Sequence, residues 1–246
     1  QYIIPISPSQ DTAGPMTKTV KGAAMLLDAM YMEEGDDSMA AALNVDALKG
    51  KRVGVLRFAE GENAAIKRRF NEALAAIGGA GAELVEIDAF TLDAENFSGD
   101  ALSVLEYEFK DSLNAYLAST PDTVAVRSLA ELIAFNEANR DVELALFNQD
   151  IFEESEALGP LSDEAYLTAL AAVQHATREA GIDKLLADHD VDMLVSPSGP
   201  LSPRVDPVNG DTWPAWAGAG YLAAVAGYPH ITVPMGQVHG VPIGLS

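Results

Sequence analysis

The stretch from Arg52 to Ile87 limits what this chain can fold into more than any other. Arg52-Val53-Gly54-Val55-Leu56 is a short apolar run of strand length, and Asn63 to Ile77 carries Ile66, Phe70, Leu74 and Ile77 on one helical face. Gly78, Gly79 and Gly81 break that helix, and Glu83-Leu84-Val85-Glu86-Ile87 reads as a second strand. Strand, helix and strand in this compass form a βαβ unit, which predicts a parallel pair with a right-handed crossover. The fold class expected is therefore α/β, a mixed and mostly parallel sheet covered by helices on both faces.

The remaining pattern fits that class. Met16 to Met32 has helical spacing, with Gly35 as its stop. Ser98 is placed to cap a helix that turns Leu102, Leu105, Phe109, Leu113 and Tyr116 inward and ends by Pro121. Further helices are expected from Ser128 to Arg140, from Leu144 to Phe152, and after a Ser162 cap with Asp163 and Glu164 in the first turn. Val191 to Val195 is a strand closed by Ser196-Pro197, and Ala215 to Ala226 is a small-residue helix with Gly227 suited to its C′ position. Ile231-Thr232-Val233 and Val241-Pro242-Ile243 are the last strands, joined by a loop from Gly236 to Gly240. No linker or repeat divides the chain, so residues 1–246 read as one domain. Gln1-Tyr2-Ile3-Ile4-Pro5 and Gly244-Leu245-Ser246 both read as interior sequence, so the domain is expected to be truncated at both ends.

Charge excludes some partners. With 37 acidic against 15 basic residues the net charge is −22, which repels phosphate backbones and anionic lipid. Nucleic acid and membrane surfaces are therefore not expected partners. No apolar run reaches the ~18 residues of a membrane span. The absence of cysteine removes thiol nucleophiles, disulfides and thiolate metal sites, and leaves the compartment open.

Local chemistry is sparse. His175, His189, His230 and His239 show no metal-ligand spacing, and Asp188-His189-Asp190 reads as a solvated loop, so no metal or cofactor is expected. Gly218-Ala219-Gly220-Tyr221-Leu222-Ala223 matches a nucleotide-loop pattern formally, but no strand precedes it and close helix packing explains it better. Ser196-Pro197-Ser198-Gly199-Pro200 lacks the first glycine of a nucleophile elbow, yet it follows a strand's carboxyl end, where α/β proteins place ligands. The lysines, Lys110 among them, all read as exposed.

Ile4-Pro5-Ile6-Ser7-Pro8-Ser9-Gln10-Asp11-Thr12-Ala13-Gly14-Pro15-Met16 resembles the segment that follows the serine-rich core of amidase-signature enzymes, and Thr19 to Leu27 resembles the helix after it. Gly22 stands where that family usually has Asp, and Lys18 where Arg is usual. Asp192-Met193-Leu194-Val195-Ser196-Pro197, Tyr221 to Pro229, Ile231-Thr232-Val233-Pro234-Met235-Gly236 and Gly240 to Leu245 resemble later blocks of the family, in its order. Glu106-Tyr107-Glu108-Phe109-Lys110 resembles one bacterial and plant-like branch.

The resemblance implies a carboxamide hydrolase that works through an acyl-serine, with a Ser nucleophile, a bridging Ser and a Lys as proton carrier. Those residues belong before the Asp11-Thr12 block, upstream of Gln1, so no catalytic residue is assigned here and this chain alone is expected to be inactive. Asp11 and Thr12, with Gly14 and Pro15, are expected to tie the loop after the nucleophile strand to the N-terminus of the next helix. Ser198, Trp213 and Trp216 are candidates for lining the substrate pocket, although the tryptophans could equally cover the core. The partner implied is a small-molecule amide, and a homodimer stays open. Rival readings are the glutamine-hydrolysing subunit of a transamidase that works beside tRNA, and a non-catalytic binding protein that kept the fold.

Overall fold

The computed structural model describes residues 3–31, 37–210, 212 and 214–246; the Gly35 stop and Trp213 lie outside them. After an irregular opening come α1 (Val20–Tyr31) and the short α2 (Met39–Ala42). The βαβ unit follows as β1 (Arg52–Leu56), α3 (Ala64–Gly79) and β2 (Glu83–Ile87). The helical middle comprises α4 (Phe97–Ala118), α5 (Leu129–Ala138), α6 (Arg140–Glu143), α7 (Asp150–Ala157), α8 (Glu164–Thr177) and α9 (Asp183–His189). The chain then forms β3 (Met193–Val195), α10 (Gly220–Ala226) and the hairpin β4 (Val233–Val238) and β5 (Val241–Leu245).

β1 is the centre. It pairs in parallel with β2 on one side, Arg52 opposite Glu83, and with β3 on the other, Val53 opposite Met193. Its side chains alternate between two apolar layers, as strand geometry requires. Val53 and Val55 pack with Ile66, Phe70 and Leu74 of α3. Leu56 packs on the opposite face with Ile87, Leu185 of α9 and Leu222 of α10. Gly54 faces this second layer, where a Cβ would lie 2.8 Å from Leu194 Cδ2 and 3.0 Å from Ile87 Cδ1. The α/β class with helices on both faces is thus observed.

Several local expectations shift. α1 begins at Val20, not Met16, because Thr19 Oγ1 accepts the Gly22 N–H at 3.0 Å and serves as the cap. α4 starts at Phe97, one residue before Ser98, and buries Val104, Tyr107, Glu108 and Leu113 while Leu102 is exposed. Leu105, Phe109 and Tyr116 are half-buried as expected, but the buried face widens to include the carboxylate of Glu108, which apolar spacing does not look for. Residues 144–149 are not helical, and α7 occupies Asp150–Ala157. Asp163, not Ser162, precedes α8. Asp188-His189-Asp190 is not a loop but the end of α9, closed by Asp190 in the left-handed conformation at φ 49°. Lys110 is not free at the surface: its Nζ donates to the Glu156 and Leu158 carbonyls at 2.6 and 2.7 Å, satisfying the C-terminus of α7. α10 is limited to Gly220–Ala226, and Gly227 closes it at φ 70°. The last loop is only His239-Gly240, both at positive φ, as a two-residue hairpin turn between right-twisted strands demands.

Phe70 is fully buried under the central strand. Phe70→Ala should lower unfolding free energy by about 3–5 kcal/mol, read by urea denaturation with tertiary fluorescence as the probe.

Candidate functional site

The chain beyond β3 continues as strand-like backbone and joins the hairpin to the parallel sheet. Ser196 N–H donates to the Ser246 carbonyl at 3.1 Å, Ser246 N–H returns to the Ser196 carbonyl at 2.9 Å, and Ser198 N–H donates to the Gly244 carbonyl at 2.8 Å. The crossing is tight. A Cβ on Gly244 would lie 2.7 Å from Ser198 Oγ and 2.5 Å from Thr232 Cγ2. Gly218, at φ 96°, backs onto the same segment, and a Cβ there would meet the Pro197 carbonyl at 2.5 Å. The buried Ser196 hydroxyl accepts the Ala219 N–H at 3.1 Å and so fixes the approach to α10.

Three hydroxyls meet at this strand end. Ser246 Oγ donates to Ser198 Oγ at 2.8 Å, Ser198 Oγ donates to Thr232 Oγ1 at 3.2 Å, and Thr232 and Ser246 lie 3.3 Å apart. Two cavities flank the cluster. One, of about 610 Å³, lies against β3 and is lined by Leu56, Leu194, Leu222, Ser196 and Ser246. The other, of about 920 Å³, lies between the Gly14–Val20 segment, α1 and residues 229–234. Pro229, His230, Ile231 and Val233 line both, so this short segment is a shared partition. Such largely apolar hollows with a few polar groups at the rim suit small organic ligands.

The sequence-predicted residues fall into place unevenly. Gly14 and Pro15 line the larger cavity, whereas Asp11 and Thr12 line neither. Asp11 does not reach the N-terminus of α1, which Thr19 caps; its Oδ2 accepts the Ile6 and Ser7 N–H groups at 2.8 and 3.0 Å. A carboxylate that can close its own turn on N–H groups four and five residues back is satisfied locally before it can reach a helix. Ser198 lines neither cavity, but its hydroxyl touches Thr232, which lines the larger one, and Ser246, which lines the smaller. Trp216 is 59% exposed and lines neither. Its indole N–H donates to the Gly218 carbonyl at 3.1 Å, which places it in the corner behind Ser198. His230, Ile231 and Thr232 were missed as a group. Sequence places Ile231 to Val233 in a strand, but β4 begins only at Val233 and the preceding residues are irregular wall.

A second polar centre lies beneath the chain's opening segment. Glu108 is only 3% exposed, yet its carboxylate has no cationic partner among the described residues. Its Oε2 accepts Ser7 Oγ at 2.6 Å, Ser9 Oγ at 2.9 Å and Ser9 N–H at 3.1 Å, and its Oε1 accepts the Tyr166 hydroxyl at 2.8 Å. Burial and the hydrogen bond to Glu108 push the Tyr166 hydroxyl up to about 12.

This geometry can be set beside known proteins. The Amidase family profile matches residues 1–246. The chain belongs to the amidase family. It is 31% identical to a probable amidase of Arabidopsis thaliana, over 99% of this chain and 46% of that protein. The native peptide amidase of Stenotrophomonas maltophilia superposes with a TM-score of 0.86 at 34% identity, covering 99% of this chain and 50% of that one. A glutamyl-tRNA(Gln) amidotransferase subunit of Ruegeria sp. is 38% identical over 95 residues, which is 35% of this chain and 19% of that protein. This amidase-family chain thus spans about half the length of the first two relatives. Its family-like blocks assemble at the shared partition: Pro229 to Val233 form it, with Gly14 and Pro15 across the larger cavity and Ser196 and Tyr228 on the smaller.

The Tyr166 hydroxyl is held protonated above its ordinary value of 10 in the folded protein. The stability it contributes is complete below pH 10 and falls as pH rises from about 10 to about 12. Denaturant unfolding across pH 8–12 should show this decline, and Tyr166→Phe should flatten it.

Proposed function

We propose that this chain is the cavity-bearing part of an amide hydrolase that converts a carboxamide to a carboxylic acid and ammonia or an amine through an acyl-serine. The observation that carries the reading is the match of residues 1–246 to the amidase family together with the close superposition on half of a peptide amidase. Residues 1–246 are read as part of one amidase-like domain, and the Ser nucleophile, bridging Ser and Lys that the family resemblance implies are read as lying outside them. The side-chain arrangement supports this division. Among the described residues no lysine ammonium hydrogen-bonds a serine hydroxyl; Lys51, Lys110 and Lys184 are committed to Asp192, the α7 carbonyls and Asp188.

Within this reading the chain supplies walls and orientation. The apolar cavities hold the carbon skeleton of the amide, and water exclusion there strengthens any hydrogen bond made to the reacting carbonyl. Ser198, Thr232 and Ser246 form a polar rim able to accept or donate to a substrate's amide group. Trp216 is read as forming the outer margin on the leaving-group or acyl side.

A second reading, a glutamine-hydrolysing amidotransferase subunit, is favoured by the 38% identity to the Ruegeria amidotransferase protein over 95 residues. The substrate separates the two. The complete gene product should release ammonia from small or aryl carboxamides, whereas ammonia from glutamine alone would favour the amidotransferase reading. Residues 1–246 expressed by themselves should release none from either; ammonia above a blank from that chain would overturn the placement of the catalytic residues.

A further inference from the structure

We propose that Glu108 is a positioning residue that sets the wall of the larger cavity from a distance, through the serine turn at Ser7–Ser9. The inference rests on the amidase reading only for what the cavity binds.

A charge buried without a counter-ion is held only if hydrogen bonds replace its water. Glu108 has four such donors, and three of them come from Ser7 and Ser9, about a hundred positions earlier in the chain. Those serines belong to a closed turn: Gln10 and Asp11 N–H donate to the Ser7 carbonyl at 2.9 and 2.6 Å, and Asp11 returns a carboxylate to Ile6 and Ser7. The Ser7 side of this turn is fully buried. A short way along the chain, Gly14 to Val20 lines the 920 Å³ cavity.

That wall has almost no anchorage of its own. Among the described residues, 12–18 make no backbone–backbone hydrogen bond. Thr17 Oγ1 reaches only Thr19, two residues on, and a Cβ on Gly14 would meet nothing within 4 Å. The wall is therefore suspended between two fixed points, the Thr19 cap of α1 and the serine turn. Glu108 fixes the second. Tyr166 shares the carboxylate but uses its other oxygen, and it joins α4 to α8 without touching the turn. The two oxygens separate positioning the wall from holding the helices together.

The test uses the complete gene product with a nitroxide at Met16→Cys, any other cysteine being replaced by serine. Met16 lines the cavity and is 96% exposed, so the label reads wall motion. Glu108→Ala should mobilise the label and raise KM for an apolar carboxamide about tenfold with kcat changed less than about twofold. Glu108→Gln keeps an acceptor oxygen for the serines and should restore both toward wild type. Tyr166→Phe should leave the label spectrum unchanged even where it lowers Tm. If Glu108→Ala does not fold, Ser9→Ala carries the test with the same direction expected. A label that stays immobile in the folded Glu108 or Ser9 variants, or that responds equally to Tyr166→Phe, overturns the proposal. The spectrum needs no turnover, so this failure is distinct from failure of the amidase reading, which shows only in ammonia release.

Discussion

The sheet and the layers on it are arranged around one strand buried on both faces. β1 has parallel partners on both edges and helices over both faces, so each of its residues is constrained from four directions. Such a strand admits little but small and branched apolar residues, and Val53, Gly54, Val55 and Leu56 meet that demand. Gly54 is the tightest point, since the opposite layer closes to within about 3 Å of where a methyl group would sit. The α3 layer gives the hairpin its seat, because Met235, Val238, Ile243 and Leu245 join the same apolar cluster as Phe70. The cavities form where this scaffold meets the serine-bearing segment after β3.

How much of this was legible depended on how local the cause was. The βαβ unit and the Gly227 cap follow from periodicities and dihedral needs of a few adjacent residues, and they were readable. The start of α1 was not, because Thr19 caps it by a side-chain bond that competes with continued apolar spacing at Met16. The face of α4 was readable apart from Leu102 and Glu108, and Glu108 was missed for a long-range reason: it is inward because Ser7, Ser9 and Tyr166 are there to satisfy it. Lys110 went the same way, its ammonium drawn to carbonyls nearly fifty residues on.

Of the residues singled out in the sequence, Gly14 and Pro15 lie on the larger cavity, while Ser198 lines neither hollow and bonds Thr232 and Ser246 beside them. Asp11 proved to serve its own turn, and Trp216 stands outside both cavities. Ile231 and Thr232 were marked only by their place in a family-like block and read as strand, because irregular wall has no period of its own. A lone histidine at such a place has no spacing partner to reveal it.

The pairing of β1 also bears on how the chain reaches this state. Its β2 contact closes across about thirty residues, and the β4–β5 hairpin across two. Val53 and Met193, by contrast, are about 140 positions apart. Loop-closure entropy must be met before such a contact yields anything, so the distant strand is the slow one. Until β3 arrives, β1 has a bare edge and the layer under α9 and α10 lacks Leu194. The hairpin has its seat on α3, but its bridge to the parallel sheet, Ser196 to Ser198, comes only with β3. The hydroxyl cluster is thus assembled last, by the same step that completes the sheet.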